Sequence, residues 1–391
     1  MPAETGPEDR AAHEAPESAR PKTLTRDLED TRRALEVWLA RRRPDVDAVR
    51  VSELQIPETN GMSTETLLFD AVWTEAGTER TEPLVARVAP DPANVPVFRE
   101  YDLDGQFEIM RQVALHTSVP VPRVHWLERD TAHLGAPFFV MEKRYGVVPP
   151  DLMPYPFGDN WLYDASPDHQ RALQDATIAV IAELHAVEQV ERKFPFLDLD
   201  RPEDTPFARH VGDWADYYAW IASDGLRSPL LERALAHVHD HWPSSLGPTV
   251  FNWGDARIGN VMYRDFRPIA VLDWEMAAFA PRELDLSYCV YIHWMFQDVV
   301  AQYGGEGSGM THFMRPADAL AEYERITGYT PRDFEFFAMW NAIRYGMISA
   351  RIGRRSAYFA EAPMPDDPDD LIMNRDAIER MLAGTYWKDK F

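Results

Sequence analysis

The sequence predicts an α+β fold divided into a small β-rich lobe and a larger, mainly helical one. Three observations predict it. A chain of 391 residues is too long for a single compact core. Its early strand-like apolar runs crowd into residues 51–142. Beyond Gly146 the apolar spacing turns helical, apart from one central hairpin. The chain therefore divides into a tail over residues 1–25, a first lobe over 26–142 and a second over 143–391.

Residues 1–25 are polar, charged and Pro-bearing, without a periodic apolar face, and read as a disordered tail. Leu28, Leu35, Trp38 and Leu39 fall at helical spacing; Arg41, Arg42 and Arg43 suit the helix C-terminus and Pro44 stops it. Val51–Ile56 and Leu67–Trp73 read as strands joined by a turn containing Gly61 and Ser63. Residues 75–82 form a turn-rich stretch before a short strand over Pro83–Pro90, in which Arg87 is the lone cation. A helix spans Leu103–Thr117, with Gln106, Ile109, Met110 and Val113 on one face and Glu108 beside Arg111 and Gln112 on another. Val119–Val124 is extended and stiffened by proline, and Gly135–Glu142 is a buried strand running into Lys143-Arg144-Tyr145-Gly146.

In the second lobe, residues 148–160 form a loop and Gln170–Val187 a helix, followed by an acidic connector over 191–211. Two helices come next, carrying Trp214, Tyr217, Tyr218 and Trp220, then Leu230, Leu231, Ala234 and Val238; these residues are read as core, or in part as the lining of a pocket. Leu286–Val299 and Phe334–Ile352 are strongly apolar helices, and a last helix runs from about Asn374 to Ala383. The glycines of Gly304–Gly309 lack the strand and lysine that frame a phosphate loop, so a flexible loop is expected there.

Composition excludes some functions. With 40 Lys+Arg against 64 Asp+Glu the net charge is −24, which opposes nucleic-acid binding, because phosphate-backbone recognition needs clustered cations. It also disfavours anionic membrane surfaces; the acidic exterior serves solubility or draws cationic small molecules. No apolar run approaches the roughly 20 residues of a membrane span, and no hydrophobic leader is visible. The single cysteine, Cys289, cannot form an internal disulfide, suits a reducing cytoplasm, and reads as a small buried hydrophobe.

Chemistry concentrates in Phe251–Asn260 and the apolar run Ile269–Glu275. Strand-like segments at 261–263 and 269–272 flank a polar turn, which delivers Asp255, Asn260 and Asp273 to one edge of a hairpin. Single aspartates at strand ends are often turn residues. The ordered trio matches phosphoryl transfer instead: one carboxylate to orient and deprotonate a hydroxyl, an amide and a second carboxylate for Mg²⁺, a hard cation that takes oxygen ligands.

The stretch resembles the phosphotransfer loop of the aminoglycoside phosphotransferase and choline kinase-like family, whose pattern is His-Gly-Asp-x-x-x-x-Asn followed by Asp-Trp-Glu or Asp-Trp-Asp. Here it runs Trp253-Gly254-Asp255 to Asn260, then Asp273-Trp274-Glu275, with Pro281–Leu286 matching the segment that follows. Val119-Pro120-Val121-Pro122 and Leu184-His185 match further segments in the same order. The resemblance, spanning about residues 30–350, implies a protein-kinase-like bilobal fold with a five-stranded antiparallel N-lobe sheet and a helical C-lobe. It implies ATP and Mg²⁺ as cofactors and a small-molecule hydroxyl as acceptor.

Residue by residue, the resemblance makes Asp255 the catalytic carboxylate and Asn260 and Asp273 the metal ligands. Ser63 in the covering hairpin and Arg87, in place of the family lysine, would contact the phosphates. Gln106 occupies the inward glutamate position on the following helix and would accept a hydrogen bond from Arg87. At the hinge, the Glu142 carbonyl and Arg144 amide would meet adenine, with Met141 behind it. The departures are Trp253 for histidine, Arg87 for lysine and Gln106 for glutamate, and they raise the alternative of a nucleotide-binding pseudokinase. Similar sequences with a Gly-Asp-x-Arg-x-Gly-Asn loop, here Gly254–Asn260, are associated with hydroxyacyl-CoA phosphorylation, so two acceptor classes stand open.

Overall fold

The computed structural model describes residues 26–57, 64–91, 95–151, 153–304 and 309–391. The tail expected over 1–25, Ser63 and most of the Gly304–Gly309 loop lie outside them.

Helix α1 (Leu28–Arg42) starts at the Asp27 cap, whose side chain accepts the Asp30 N–H, and ends on arginines as the dipole favours. It covers one face of an antiparallel sheet with strand order β1-β2-β3-β5-β4: β1 (Asp47–Val51), β2 (Glu65–Glu75), β3 (Thr78–Val88), β4 (Val124–Glu128) and β5 (Phe138–Glu142). Two expectations shift here. Residues 75–82 are not a broad turn: β2 and β3 pair in unbroken register from Glu65↔Val88 to Glu75↔Thr78. Ala76 and Gly77, both at positive φ (48° and 78°), turn the chain in two residues. The first strand is Asp47–Val51 rather than 51–56, and Gln55 makes only an isolated bridge to Leu68. β1 is a largely exposed edge strand, so no apolar alternation marked it.

Helix α2 (Leu103–His116) packs on the other face of the sheet, against β4 and β5. Leu35, Trp38, Phe69, Trp73, Phe138 and Val140 form the core on the α1 side. Val85, Phe139 and Met141, on the α2 side, join a second core that continues into the helical lobe.

That lobe contains α3 (Pro167–His185), α4 (Val190–Lys193), α5 (Pro206–Ile221), α6 (Pro229–Asp240), α7 (Glu283–Tyr303), α8 (Pro316–Thr327), α9 (Phe334–Tyr358) and α10 (Arg375–Leu382). Ser166, Thr205 and Ser228 each cap the N–H three residues on and are each followed by proline, so α3, α5 and α6 start on the same signal. The Thr205-Pro206 start places the first turn of α5 inside the stretch expected to be connector. Two small hairpin-like pairs, β6 (Thr249–Asn252) with β9 (Ala278–Pro281) and β7 (Val261–Arg264) with β8 (Arg267–Val271), interrupt the helices. No helix of the described residues is long and apolar enough to cross a membrane.

Candidate active site

The loop from Trp253 to Asn260 leaves β6 and is fixed from three directions. Asp285, in the first turn of α7 and fully buried, accepts the Trp253 N–H at 2.6 Å and the Gly254 N–H at 2.8 Å, one on each carboxylate oxygen. His185 and Tyr323 line up behind it, His185 standing 3.3 Å from Asp285 and 2.8 Å from the Tyr323 hydroxyl. His185 is thus a structural link. From α9, the buried Arg344 donates to the Gly254 carbonyl at 3.1 Å and to Asn341 at 3.0 Å. Gly254 sits at φ 90°, and a Cβ there would lie 1.8 Å from the Met276 carbonyl oxygen, so the close backbone approach requires glycine.

The third support is Trp253 itself. Its indole N–H donates to the carbonyls of Leu272 (2.9 Å) and Asp273 (3.0 Å), and the ring, fully buried, packs against Trp274. The Leu272 N–H donates to the Asn260 carbonyl at 2.9 Å. Loop and hairpin end are therefore stitched together.

This brings Asp255, Asn260 and Asp273 into one cluster. The Asn260 amide donates to Asp255 Oδ2 at 2.6 Å and to the Asp255 carbonyl at 3.1 Å. Asp255 Oδ1 is buried without a well-formed hydrogen bond; Arg257 Nε lies 3.3 Å away as an ion contact, and the Tyr288 hydroxyl stands close enough to interact with the carboxylate. Asp273 adopts a left-handed backbone, φ 55°, which aims its side chain across the cleft to Arg87, 3.0 Å from Oδ1. Among the described residues no group of three or more His, Cys, Asp or Glu side chains could hold a metal ion. A cation at this site would rest on two protein oxygen donors, Asn260 and Asp273, which suits Mg²⁺ because it keeps waters and phosphate oxygens as its remaining ligands.

On the sheet side, Arg87 projects from β3 toward Asp273, with Thr66 and Phe139 as its register partners. Gln106 is buried on α2 but makes no hydrogen bond to Arg87, whose ion-pair partner is Asp273. Met141 is buried at the end of β5, and the Glu142 side chain pairs with Arg144 at 3.1 Å. The Glu142 and Lys143 amides are bonded to Arg123 and Pro83 carbonyls, whereas the Arg144 amide has no partner among the described residues.

Several residues at the site escaped sequence reading. Asp151 forms an ion pair with Arg257, and a Cβ on Gly259 would come within 2.6 Å of that carboxylate. Burial opposes the Arg257 charge, yet Asp151 and Asp255 together raise its pKa well above the ordinary value. Burial lowers the pKa of Arg344. Tyr288 lies on α7, and burial, with Asp255 adding to it, raises its pKa. A lone arginine inside the apolar run Trp340–Ile348 was the available signal for Arg344. Cys289 is buried, its thiol pushed up to about 12 by burial and by Asp285, and is no nucleophile.

The five-stranded sheet over a helical lobe, with this loop between them, defines a kinase-like α+β protein. A sequence profile described as the phosphotransferase enzyme family matches residues 66–323, and the chain belongs to that family. Its structure is similar to that of a putative aminoglycoside phosphotransferase from Ralstonia eutropha JMP134, with a TM-score of 0.62 and 22% identity over 91% of this chain and 98% of that one. A thermostable mutant of aminoglycoside phosphotransferase APH(4)-Ia, in ternary complex with ADP and hygromycin B, shares the fold at a TM-score of 0.53 and 15% identity, over 90% of this chain and all (100%) of that one. Among curated proteins the chain is similar to mouse (Mus musculus) acyl-CoA dehydrogenase family member 10, 25% identical over 280 residues. That match covers 70% of this chain but only 24% of the mouse protein.

Proposed function

We propose that this phosphotransferase moves the γ-phosphoryl group of ATP to a hydroxyl of a small molecule. The observation that carries the reading is the Asp255 carboxylate: one oxygen is fixed by Asn260 at 2.6 Å, and the other is buried with no well-formed hydrogen bond, held only by the Arg257 ion contact at 3.3 Å and the neighbouring Tyr288 hydroxyl. A buried acceptor left unmade is costly, so its retention marks a place for a donor, here the acceptor hydroxyl. Asp255 then orients that hydroxyl and takes its proton as the phosphoryl group is transferred. Asn260 and Asp273 are the residues to hold Mg²⁺, which when bound supplies charge neutralisation along the phosphates. Arg87 answers both needs of the cleft: it balances Asp273 in the free protein and offers a forked cation to phosphate oxygens. Met141, the Glu142 carbonyl and the Arg144 amide, which has no partner among the described residues, would supply the hinge edge for adenine, and Ser63 would add a phosphate contact, while the expected Gln106–Arg87 bond is not formed.

A second reading makes the acceptor a hydroxyacyl-CoA rather than an aminoglycoside. The similarity to an acyl-CoA dehydrogenase family member favours it.

Mg²⁺-dependent ADP formation, screened with aminoglycosides, amino alcohols and 4-hydroxyacyl-CoA thioesters, tests the proposal. Asp255→Asn should lower acceptor-dependent turnover by about a hundredfold to ten-thousandfold while leaving nucleotide affinity intact. Nucleotide binding without any acceptor-dependent turnover in the unaltered protein would favour the pseudokinase alternative.

A further inference from the structure

The loop that carries Asp255 also carries a cation that answers to two carboxylates. Arg257 Nε lies 3.3 Å from Asp255 Oδ1 and 3.4 Å from Oδ2, outside the roughly 2.7–2.9 Å of a tight charge-assisted hydrogen bond. Its Nη1 closes on Asp151 instead, 106 positions earlier in the chain, and Arg257 is the one side-chain donor that meets this carboxylate among the described residues. The guanidinium is therefore held back from one acid by another.

Asp151 stands on a firm base for that purpose. The chain before it is pinned where Val147 and Tyr263 exchange backbone bonds at 2.9 and 2.7 Å, and Pro149-Pro150 stiffens the approach. The chain after it is pinned by the Tyr155 N–H on the Pro150 carbonyl at 2.9 Å and by the Tyr155 hydroxyl on buried His293. Gly259 lies beneath the pair, in the single 3-10 turn Ile258–Asn260. Its backbone is not left-handed, so conformational freedom does not call for glycine there. Space does: a Cβ would lie 2.5 Å from Arg257 Nη1 and 2.6 Å from both Asp151 oxygens. The atoms in the way are the ends of those two side chains, so the catalytic loop is cut away to let the Asp151–Arg257 pair cross it.

Without Asp151, Arg257 would face Asp255 alone. Guanidinium and carboxylate already stand within a few tenths of an ångström of a forked contact, and the Asp255 side chain is only 14% exposed, so little water competes with their attraction. The fork would then cover Oδ1, the oxygen to which the phosphotransfer reading assigns the acceptor hydroxyl. We propose that Asp151 is a positioning residue that holds Arg257 back and so keeps Asp255 Oδ1 open to the acceptor. The inference rests on the phosphotransfer reading and adds to it a residue from outside the catalytic loop.

Two measurements on the full chain test this together: a crystal structure of Asp151→Ala, and ADP release from Mg²⁺ and ATP with water, then with the hydroxyl compounds of the acceptor screen. In Asp151→Ala two nitrogens of Arg257 should stand within about 3 Å of the Asp255 oxygens. The turnover number should fall by about tenfold or more at unchanged ATP affinity, and Asp151→Asn, which keeps an acceptor for Nη1, should lose less. Adding Arg257→Met removes the intruding cation, so the double variant should turn over faster than Asp151→Ala, a recovery that a merely structural role does not produce. Gly259→Ala, which displaces the pair without removing either charge, should lower turnover as Asp151→Ala does. Arg257 unmoved in the Asp151→Ala crystal, undiminished turnover, or a double variant no faster than Asp151→Ala would each overturn the inference. If ATP is turned over equally by Asp255→Asn, the phosphotransfer reading fails, and the position of Arg257 in the crystal then decides the tether by itself.

Discussion

At Trp253 an indole occupies the position where the family pattern has histidine, and its single N–H spans two carbonyls that shape the turn around Asp273. Trp253→Phe keeps the buried ring and removes that donor, leaving the Leu272 and Asp273 carbonyls short of a partner. The expected loss is about 1–3 kcal/mol of stability, together with a higher Mg²⁺ concentration for half-maximal turnover, whereas Trp253→His should recover part of both. Equal Mg²⁺ dependence in all three proteins would show that the indole only packs. Asp255, Asn260 and Asp273 were legible in the sequence because their spacing within 18 residues is set by one loop and one hairpin. Arg344, Tyr288 and Asp151 were not, because each reaches the loop from a distant part of the chain, and no local pattern encodes such an approach.

Among the elements, helix starts are written plainly. Ser228 caps α6 through the Leu231 N–H at 3.0 Å and also donates to the buried Asp369 at 2.5 Å, tying the turn at 368–371 to the helix start. Ser228→Ala should therefore cost more than an ordinary cap, about 2–3 kcal/mol, seen as a lower urea midpoint with unchanged slope. A loss below about 0.5 kcal/mol would mean the carboxylate is satisfied by other means. The same cap-plus-proline signal stands at Ser166 and Thr205, yet apolar spacing alone begins the first of these helices at Gln170 and leaves the start of the second inside the connector. Strand ends are marked less plainly: β1 is polar and exposed, and the β2–β3 hairpin continues through Thr78–Glu82 because backbone pairing, not apolar alternation, holds its outer half.

The whole molecule should be sensitive to acid. Buried His293 accepts a hydrogen bond from the Tyr155 hydroxyl at Nδ1 (2.8 Å) and donates from Nε2 to the Met310 carbonyl (3.2 Å), an arrangement that needs the neutral ring. Burial lowers its pKa to about 3, and burial, with Arg344 adding to it, lowers that of His210 as well. An unfolded histidine takes up its proton near pH 6.5, so below that point protonation favours the unfolded chain. The stability these rings contribute is complete above about pH 6.5 and falls on acidification by about 1.4 kcal/mol per unit for each ring, down to pH 3 for His293. Glu128 adds a lower window. Burial opposes its charge, but the Asp130 N–H, Trp38 and Arg42 outweigh that and hold its pKa at about 2, so its contribution is present above about pH 4.3 and lost toward pH 2. Urea titrations from pH 8 to 4 should show the decline beginning near pH 6.5, and His293→Asn should reduce its slope. A flat profile between pH 7 and 5 would contradict the neutral buried pair.

The sequence by itself determined the α+β class, the order of strands then helices, and the loop that bears Asp255, Asn260 and Asp273, because periodicity, capping and turn chemistry act over a few residues. Only the tertiary structure decided that Arg87 meets Asp273, that Trp253 braces the turn, and that Arg344 and Asp285 grip the loop from behind. Those contacts join segments 19 to 186 positions apart. Such pairings arise when the sheet and helices pack, and packing selects partners by shape and desolvation rather than by spacing along the chain.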